Sequence, residues 1–183
     1  MACVFLISLR KRPSLLMNGI QLKRDAAAQP SLVIIYFGGN DSIAPHPTGL
    51  GPHVPLLEYI ENMRKIANHL KGLLDKTRVI YLSPPFVDDT KKRNSRELSG
   101  LGNELVRTNE NCRIHSEACM NLCKEKGFNF LDFVDCNSAN ANDWMNTSFL
   151  DGDEVHLSSE GSNVFAEEIL KVLKEAEWNP SLC

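Results

Sequence analysis

Two short groups of residues have the types and spacing to do acid–base chemistry at a carbonyl. The first is Asp153-Glu154-Val155-His156. Two residues separate Asp153 from His156, and on a turn leading into a helix that spacing can fold the carboxylate back onto the imidazole. A carboxylate on one ring nitrogen fixes the tautomer and stabilises the imidazolium, and the other nitrogen can then take a proton from a hydroxyl. Asp-x-x-His is also common surface composition and by itself decides nothing. The second group is Gly38-Gly39-Asn40-Asp41-Ser42. An Asn placed after a buried strand and two glycines can aim its amide into the same crevice, where an amide N–H is a usable oxyanion donor. The glycines let the backbone turn sharply and leave room for a substrate. The same residues are also ordinary turn composition.

The elements around these groups make them more specific. Leu32–Phe37 is a continuous apolar, β-branched-rich run, the pattern of a strand buried on both faces of a parallel sheet. Pro55–Leu74 has helical apolar spacing, with Pro55 suited to the first turn. Arg78–Leu82 is a second strand, ended by Pro84 and Pro85. Glu104–Lys126 is a long helix closed by Gly127 in a left-handed cap. Phe128–Val134 is a third strand, and Ser158–Ala176 is a final helix. Strands alternating with helices predict βαβ units, a parallel sheet and a three-layer α/β domain. Ligands in such sheets bind beyond the carboxyl ends of the strands. The Gly-Gly-Asn-Asp-Ser group follows one strand, and the Asp-x-x-His group lies between another strand and the last helix.

The chain has 183 residues, enough for one domain with a real core and too few for two ordinary ones. A hydrophobic fraction of 43%, a charged fraction of 23% and a net charge of -3 are those of a globular protein. They give no reason to expect nucleic acid or an anionic membrane as partner. No run approaches the roughly 18–20 apolar residues that span a bilayer. Met1–Leu9 is apolar, but Arg10, Lys11 and Arg12 follow it, the reverse of an export signal, so a cytoplasmic location is favoured. Cys3, Cys112, Cys119, Cys123, Cys136 and Cys183 form no Cys-x-x-Cys pair, which fits a reducing compartment. Cys112, His115, Cys119 and Cys123 share one helical face. A helix rises about 1.5 Å per residue, so four such side chains cannot reach one zinc ion, and burial is expected instead. No metal site is expected. His46, His53 and His69 are expected on loops or the surface, with His53 a candidate for the substrate mouth.

Taken together, the two groups resemble a known family. Tyr36-Phe37-Gly38-Gly39-Asn40-Asp41-Ser42 resembles block III of the SGNH/GDSL hydrolases, whose core is Gly-x-Asn-Asp. Asp153-Glu154-Val155-His156-Leu157-Ser158-Ser159-Glu160-Gly161 resembles block V, Asp-x-x-His followed by a helix. The likeness extends to His53–Tyr59, Leu82–Pro85, Arg107-Thr108-Asn109-Glu110 and Lys174–Trp178. These are similar to plant GDSL esterase/lipases of the isoamyl-acetate-hydrolysing type, over roughly residues 26–182. The resemblance implies a three-layer α/β/α flavodoxin-like fold with a parallel sheet, and a Ser-His-Asp esterase acting on small esters without a cofactor. It assigns His156 as general base, Asp153 as its orienting acid and Asn40 as an oxyanion donor, with Gly38 and Gly39 shaping that loop.

Two departures accompany the resemblance. The family's first block, Gly-Asp-Ser, supplies the nucleophile, and its second supplies another oxyanion donor; neither is visible before Ser31. The family's Asp-Gly-x-His is replaced by Asp151-Gly152-Asp153-Glu154-Val155-His156, so Asp151 is the alternative acid. Ser42 is the alternative nucleophile, although Gly39-Asn40-Asp41 fits block III better than block I. Ser8, at the end of Val4–Ile7, lacks a preceding Gly-Asp. The expectation is therefore a divergent lead-in over residues 1–25 and a partial hydrolase domain over 26–183. The sheet is expected to lack its first strands. That would leave Leu32–Phe37 as an edge, with Val4–Leu9 pairing there as a makeshift strand. An inactive chain is expected; a non-catalytic ester-binding or regulatory module, or a truncated splice or gene-model product, are the alternatives. Oligomeric state is not legible.

Overall fold

The computed structural model describes residues 4–7, 30–49, 51–72, 77–84, 107–133, 147–150 and 156–175. Within them, strands β1 (Val4–Ile7), β2 (Leu32–Tyr36), β3 (Arg78–Leu82) and β4 (Asn129–Leu131) form one sheet in that spatial order. Every neighbouring pair is parallel. Helix α1 (Leu56–Lys71) joins β2 to β3, α2 (Asn109–Lys126) precedes β4, and α3 (Ser159–Glu175) closes the order. Strand β2 is an inner strand: Val4 pairs with Leu32 on one side, and Arg78 pairs with Leu32 on the other.

Alternation along β2 and β3 divides the core in two. Val33, Ile35, Val79 and Tyr81 face Tyr59, Met63, Ile66, Ala67 and Leu70 of α1, and Cys119, Leu122 and Cys123 of α2. Ile34, Ile80, Leu82 and Leu131 point the other way, toward Phe165, Ile169, Val172 and Leu173 of α3. The Phe133 and Phe165 rings stack with centroids 3.5 Å apart, fastening the end of β4 to α3. Helices thus cover both faces of a parallel sheet, the three-layer α/β/α arrangement. Cys112, His115, Cys119 and Cys123 are all buried on α2. The neighbouring Cys119 thiol, together with burial, pushes the Cys123 thiol far above its usual range. A thiol held protonated in this way packs as a small hydrophobe rather than reacting. Among the described residues, no helix is long and apolar enough to cross a membrane.

Several element boundaries differ from the sequence expectation. Pro55 is the N-cap of α1 rather than its first residue, because its ψ of 140° is extended. Its carbonyl accepts the first helical bond, from the Tyr59 N–H at 2.9 Å. Helix α2 starts at Asn109 rather than at Glu104, because the extended Thr108 caps it, its Oγ1 accepting the Asn111 N–H at 3.1 Å. Strand β2 ends at Tyr36; Phe37 is buried but lies beyond the ladder. Strand β4 is short because the ladder's next bond goes to a side chain instead of a backbone carbonyl. The Ser83 N–H still donates to the Leu131 carbonyl at 3.0 Å, after which the Ser83 hydroxyl oxygen accepts the Phe133 N–H at 2.7 Å. Leu74, Val134 and Ala176 lie outside the described residues. At Gly127 the expected left-handed cap is present, with φ 68°. The Phe128 N–H donates to the Cys123 carbonyl at 3.0 Å and the Gly127 N–H to that of Lys124 at 3.4 Å, a Schellman pair.

Ile35 is fully buried at the centre of the larger core. Ile35→Ala removes three heavy atoms there and is expected to lower unfolding free energy by roughly 2–5 kcal/mol. Urea unfolding checks this: the midpoint falls while the slope stays that of the parent chain.

Candidate active site

The chain leaving β2 turns at once. Gly38 has φ 106°, a conformation that residues with a Cβ rarely adopt. A Cβ there would also sit 3.2 Å from the Tyr59 hydroxyl and 3.5 Å from the Pro84 ring. The turn bonds to itself. The Ser42 N–H donates to the Gly38 carbonyl at 2.9 Å, and the Ser42 hydroxyl donates to the Gly39 carbonyl at 3.1 Å. The Asp41 carboxylate accepts the Gly38 N–H at 3.2 Å, and the Asp41 carbonyl accepts the Val54 N–H at 3.2 Å. Burial raises the Asp41 pKa above its ordinary value, against the lowering influence of backbone donors and of the His115 and Arg107 charges.

Ser42 is 1% exposed, and its hydroxyl lies 3.5 Å from the Cys112 sulfur as well as bonding Gly39. A nucleophilic hydroxyl needs its proton on a base and its oxygen open to substrate. The Ser42 geometry speaks against the alternative that it attacks an ester; it holds the turn. Of the two glycines, Gly38 alone carries the positive φ. A Cβ on Gly39 would meet the Arg107 guanidinium at 3.6 Å, an ordinary contact.

Asn40 directs its side chain out of this turn, toward Arg107. Its amide oxygen accepts Arg107 Nη2 at 2.9 Å. A guanidinium carries only donors, so the amide oxygen must be the end that faces it. The amide NH2 is therefore the end left to donate elsewhere. Arg107 is 6% exposed and stands just before the Thr108 cap of α2, so the start of that helix fixes where its side chain begins. Sequence reasoning did not single out Arg107 as a site residue. Its signals were its place beside a capping Thr and its presence in the Arg107–Glu110 segment. His53 belongs to the same region: its Nδ1 lies 2.7 Å from the Ile43 carbonyl, which can only accept, so Nδ1 carries the proton.

His156 lies in the second group. It is exposed and stands ahead of α3, where Phe149 and Leu157 form an antiparallel bridge. The Leu150 N–H donates to the His156 carbonyl at 2.9 Å, and the Ser158 N–H donates to the Ser148 carbonyl at 2.8 Å. The Ser158 hydroxyl donates to the Thr147 carbonyl at 2.6 Å and accepts the Gly161 N–H at 3.1 Å, which caps α3. Gly161 permits this approach, since a Cβ there would lie 2.2 Å from the Ser148 carbonyl oxygen. The structure gathers Gly38, Gly39, Asn40, Ser42 and Arg107 in one cluster and holds His156 on a separate, cross-braced segment. Asp151 and Asp153 lie outside the described residues.

Comparison with known proteins then places the chain. The family described as GDSL-like lipase/acylhydrolase matches residues 13–169. The chain belongs to this family. It is 55% identical over 160 residues to the GDSL esterase/lipase WDL1 of Oryza sativa subsp. japonica, covering 87% of this chain and 59% of that protein. It is 54% identical to the GDSL esterase/lipase CPRD49 of Arabidopsis thaliana, covering 87% of this chain and 60% of that protein. The chain thus spans about three fifths of the length of these relatives. In three dimensions it matches a lipase/acylhydrolase from Enterococcus faecalis with TM-score 0.58 and 18% identity, covering 79% of this chain and 62% of that one. That likeness is one of fold, and it agrees with the parallel three-layer arrangement.

Two predictions follow from this geometry. Gly161→Ala forces α3 and the Ser148 backbone apart, and is expected to cost roughly 1–3 kcal/mol. Thermal unfolding and loss of the Ser158 backbone N–H protection from hydrogen exchange both read it. Asp41 has a raised folded-state pKa, so the folded chain binds more protons than the unfolded one above the ordinary value of 3.8. Stability contributed by its protonated form is complete below that value and is lost as pH rises through the folded pKa. Asp41→Asn keeps an acceptor for Gly38 and is expected to flatten this fall in a pH series of urea midpoints; an unchanged slope would contradict it.

Proposed function

We propose that this chain forms the oxyanion-binding and acid–base side of a carboxylic ester hydrolase site. In this reading a hydroxyl attacks the carbonyl carbon of a small ester, and the carbonyl oxygen takes up negative charge. The Asn40 amide donates to that oxygen. His156 accepts the proton of the attacking hydroxyl and returns it to the departing alkoxide, while Asp153 holds the imidazole; Asp151 is the alternative acid. Gly38 gives the turn its shape. The observation that carries the reading is the commitment of the Asn40 amide oxygen to Arg107, which leaves the amide N–H group as the donor. Membership of the GDSL family, and relatives named as esterase/lipases, support the reaction class.

The attacking hydroxyl is the part these residues do not provide. No Gly-Asp-Ser occurs in the 183 residues, and the Ser42 hydroxyl is committed to the turn. Loss of a triad nucleophile typically lowers turnover by several orders of magnitude, leaving what binding and the oxyanion donors supply. The chain is accordingly proposed to bind small esters without appreciable turnover. The buried Ser42 equally favours the second reading, a non-catalytic ester-binding module.

The test is hydrolysis of p-nitrophenyl acetate by the purified chain. The expected rate does not exceed that of buffer, and His156→Ala leaves it unchanged. Hydrolysis that His156→Ala abolishes would overturn the proposed inactivity, and Ser42→Ala would then decide whether Ser42 is the source.

A further inference from the structure

Arg107 is a buried cation whose hydrogen bond goes to a neutral amide. A buried guanidinium is more usually placed on a carboxylate, because removing its charge from water is costly. Here Nη2 reaches Asn40 Oδ1 at 2.9 Å while the residue is 6% exposed. Arg113, by contrast, lies on the exposed face of α2 and pairs with Glu110 and Glu117. The two arginines of this helix region thus show opposite uses, one solvated and ion-paired, the other withdrawn against the Asn40 turn.

A free asparagine amide has two faces. Flipped one way it offers N–H donors, and flipped the other it offers an oxygen that repels a developing oxyanion. A cationic donor on Oδ1 removes the second orientation. It also draws electron density toward the amide oxygen, which strengthens the N–H groups as donors, as hydrogen bonds in a chain reinforce one another. We infer that Arg107 is a positioning residue: through its bond to Oδ1 it fixes the flip of the Asn40 amide and polarises its N–H group toward an oxyanion. The inference rests on the ester-hydrolase reading for what the amide donates to, and on the 2.9 Å bond alone for the hold itself.

Uniform 15N labelling of the full chain tests the hold. The Asn40 side-chain pair is identified by its disappearance in Asn40→Asp. In the parent chain this pair is expected to be well separated and slow to exchange with water. In Arg107→Met it should move toward the position of an exposed asparagine and exchange at least about tenfold faster, as expected for a lost charge-assisted bond. The Gly38 and Ser42 backbone signals should stay in place, which shows that the turn is intact. Arg107→Lys keeps the charge with a different donor geometry and should give an intermediate shift, so the test survives if the methionine variant unfolds. An unmoved Asn40 pair in a folded variant overturns the inference.

Methylphosphonate, a stable tetrahedral oxyanion, tests the purpose. Its Kd is expected to rise about tenfold in Arg107→Met and in Asn40→Ala, with the double variant no worse than Asn40→Ala alone. Additive losses would overturn the inference, because Arg107 would then meet the anion directly. If the parent chain does not bind methylphosphonate while the Asn40 signals respond to Arg107→Met, the hydrolase reading fails and the hold on the amide stands.

Discussion

Strand β2 has a partner strand on each side and a core on each face, and the rest of the candidate site follows from that confinement. Val33 and Ile35 fill one core and Ile34 the other, with β1 and β3 alongside. A chain leaving such a strand carries backbone polar groups into buried surroundings, where each needs a partner. The Gly38–Ser42 turn supplies these partners from within itself. The Asp41 carboxylate takes the Gly38 N–H, the Ser42 N–H takes the Gly38 carbonyl, and the Ser42 hydroxyl takes the Gly39 carbonyl. The two polar side chains after Asn40 are thereby committed to the turn. Asn40 keeps its side chain for another purpose because its neighbours do the structural work.

The His156 segment is built by a different economy. It borrows order from Ser148, Leu150 and the Ser158 cap rather than from a strand buried on both faces. A cap of this kind contributes about 1 kcal/mol, and the single bridge between Phe149 and Leu157 adds one pair of backbone bonds. The approach of α3 to this segment depends on one small residue, Gly161, whose lack of a side chain lets the helix meet the Ser148 backbone.

Much of the frame was legible because doubly buried parallel strands read as unbroken apolar runs. Leu32–Tyr36 and Arg78–Leu82 were visible for that reason, and Gly127 for its left-handed cap. The errors fell at ends, where single polar contacts decide. Nothing in the composition of Pro55 tells that its ψ is extended, and nothing in Phe128–Val134 tells that Ser83 replaces a backbone partner through its hydroxyl. Within the site, residue types were legible and directions were not. Asn40, Asp41 and Ser42 read alike as polar turn residues, yet two serve the turn and one is held by Arg107. The role of Arg107 was least legible, because a basic residue before a helix is usually solvated and only packing reveals that this one is withdrawn.

The electrostatics of the turn bind these roles together. Arg107 lowers the pKa of Asp41, opposing the burial that raises it, so the cation that holds the amide also helps keep the carboxylate ionised. The carboxylate in turn supplies negative charge near a guanidinium whose own hydrogen bond goes to a neutral oxygen. Removing the carboxylate leaves the buried guanidinium with less compensation, which costs more than an exposed ion pair is worth. Arg64–Glu125 between α1 and α2 is such an exposed pair, and its loss would strand no buried charge. The Asn40 amide is thus held by a buried cation whose charge also acts on the half-buried Asp41. A change to Arg107 should accordingly reach the amide and leave the turn's own hydrogen bonds in place, with Asp41 drifting further toward its protonated form.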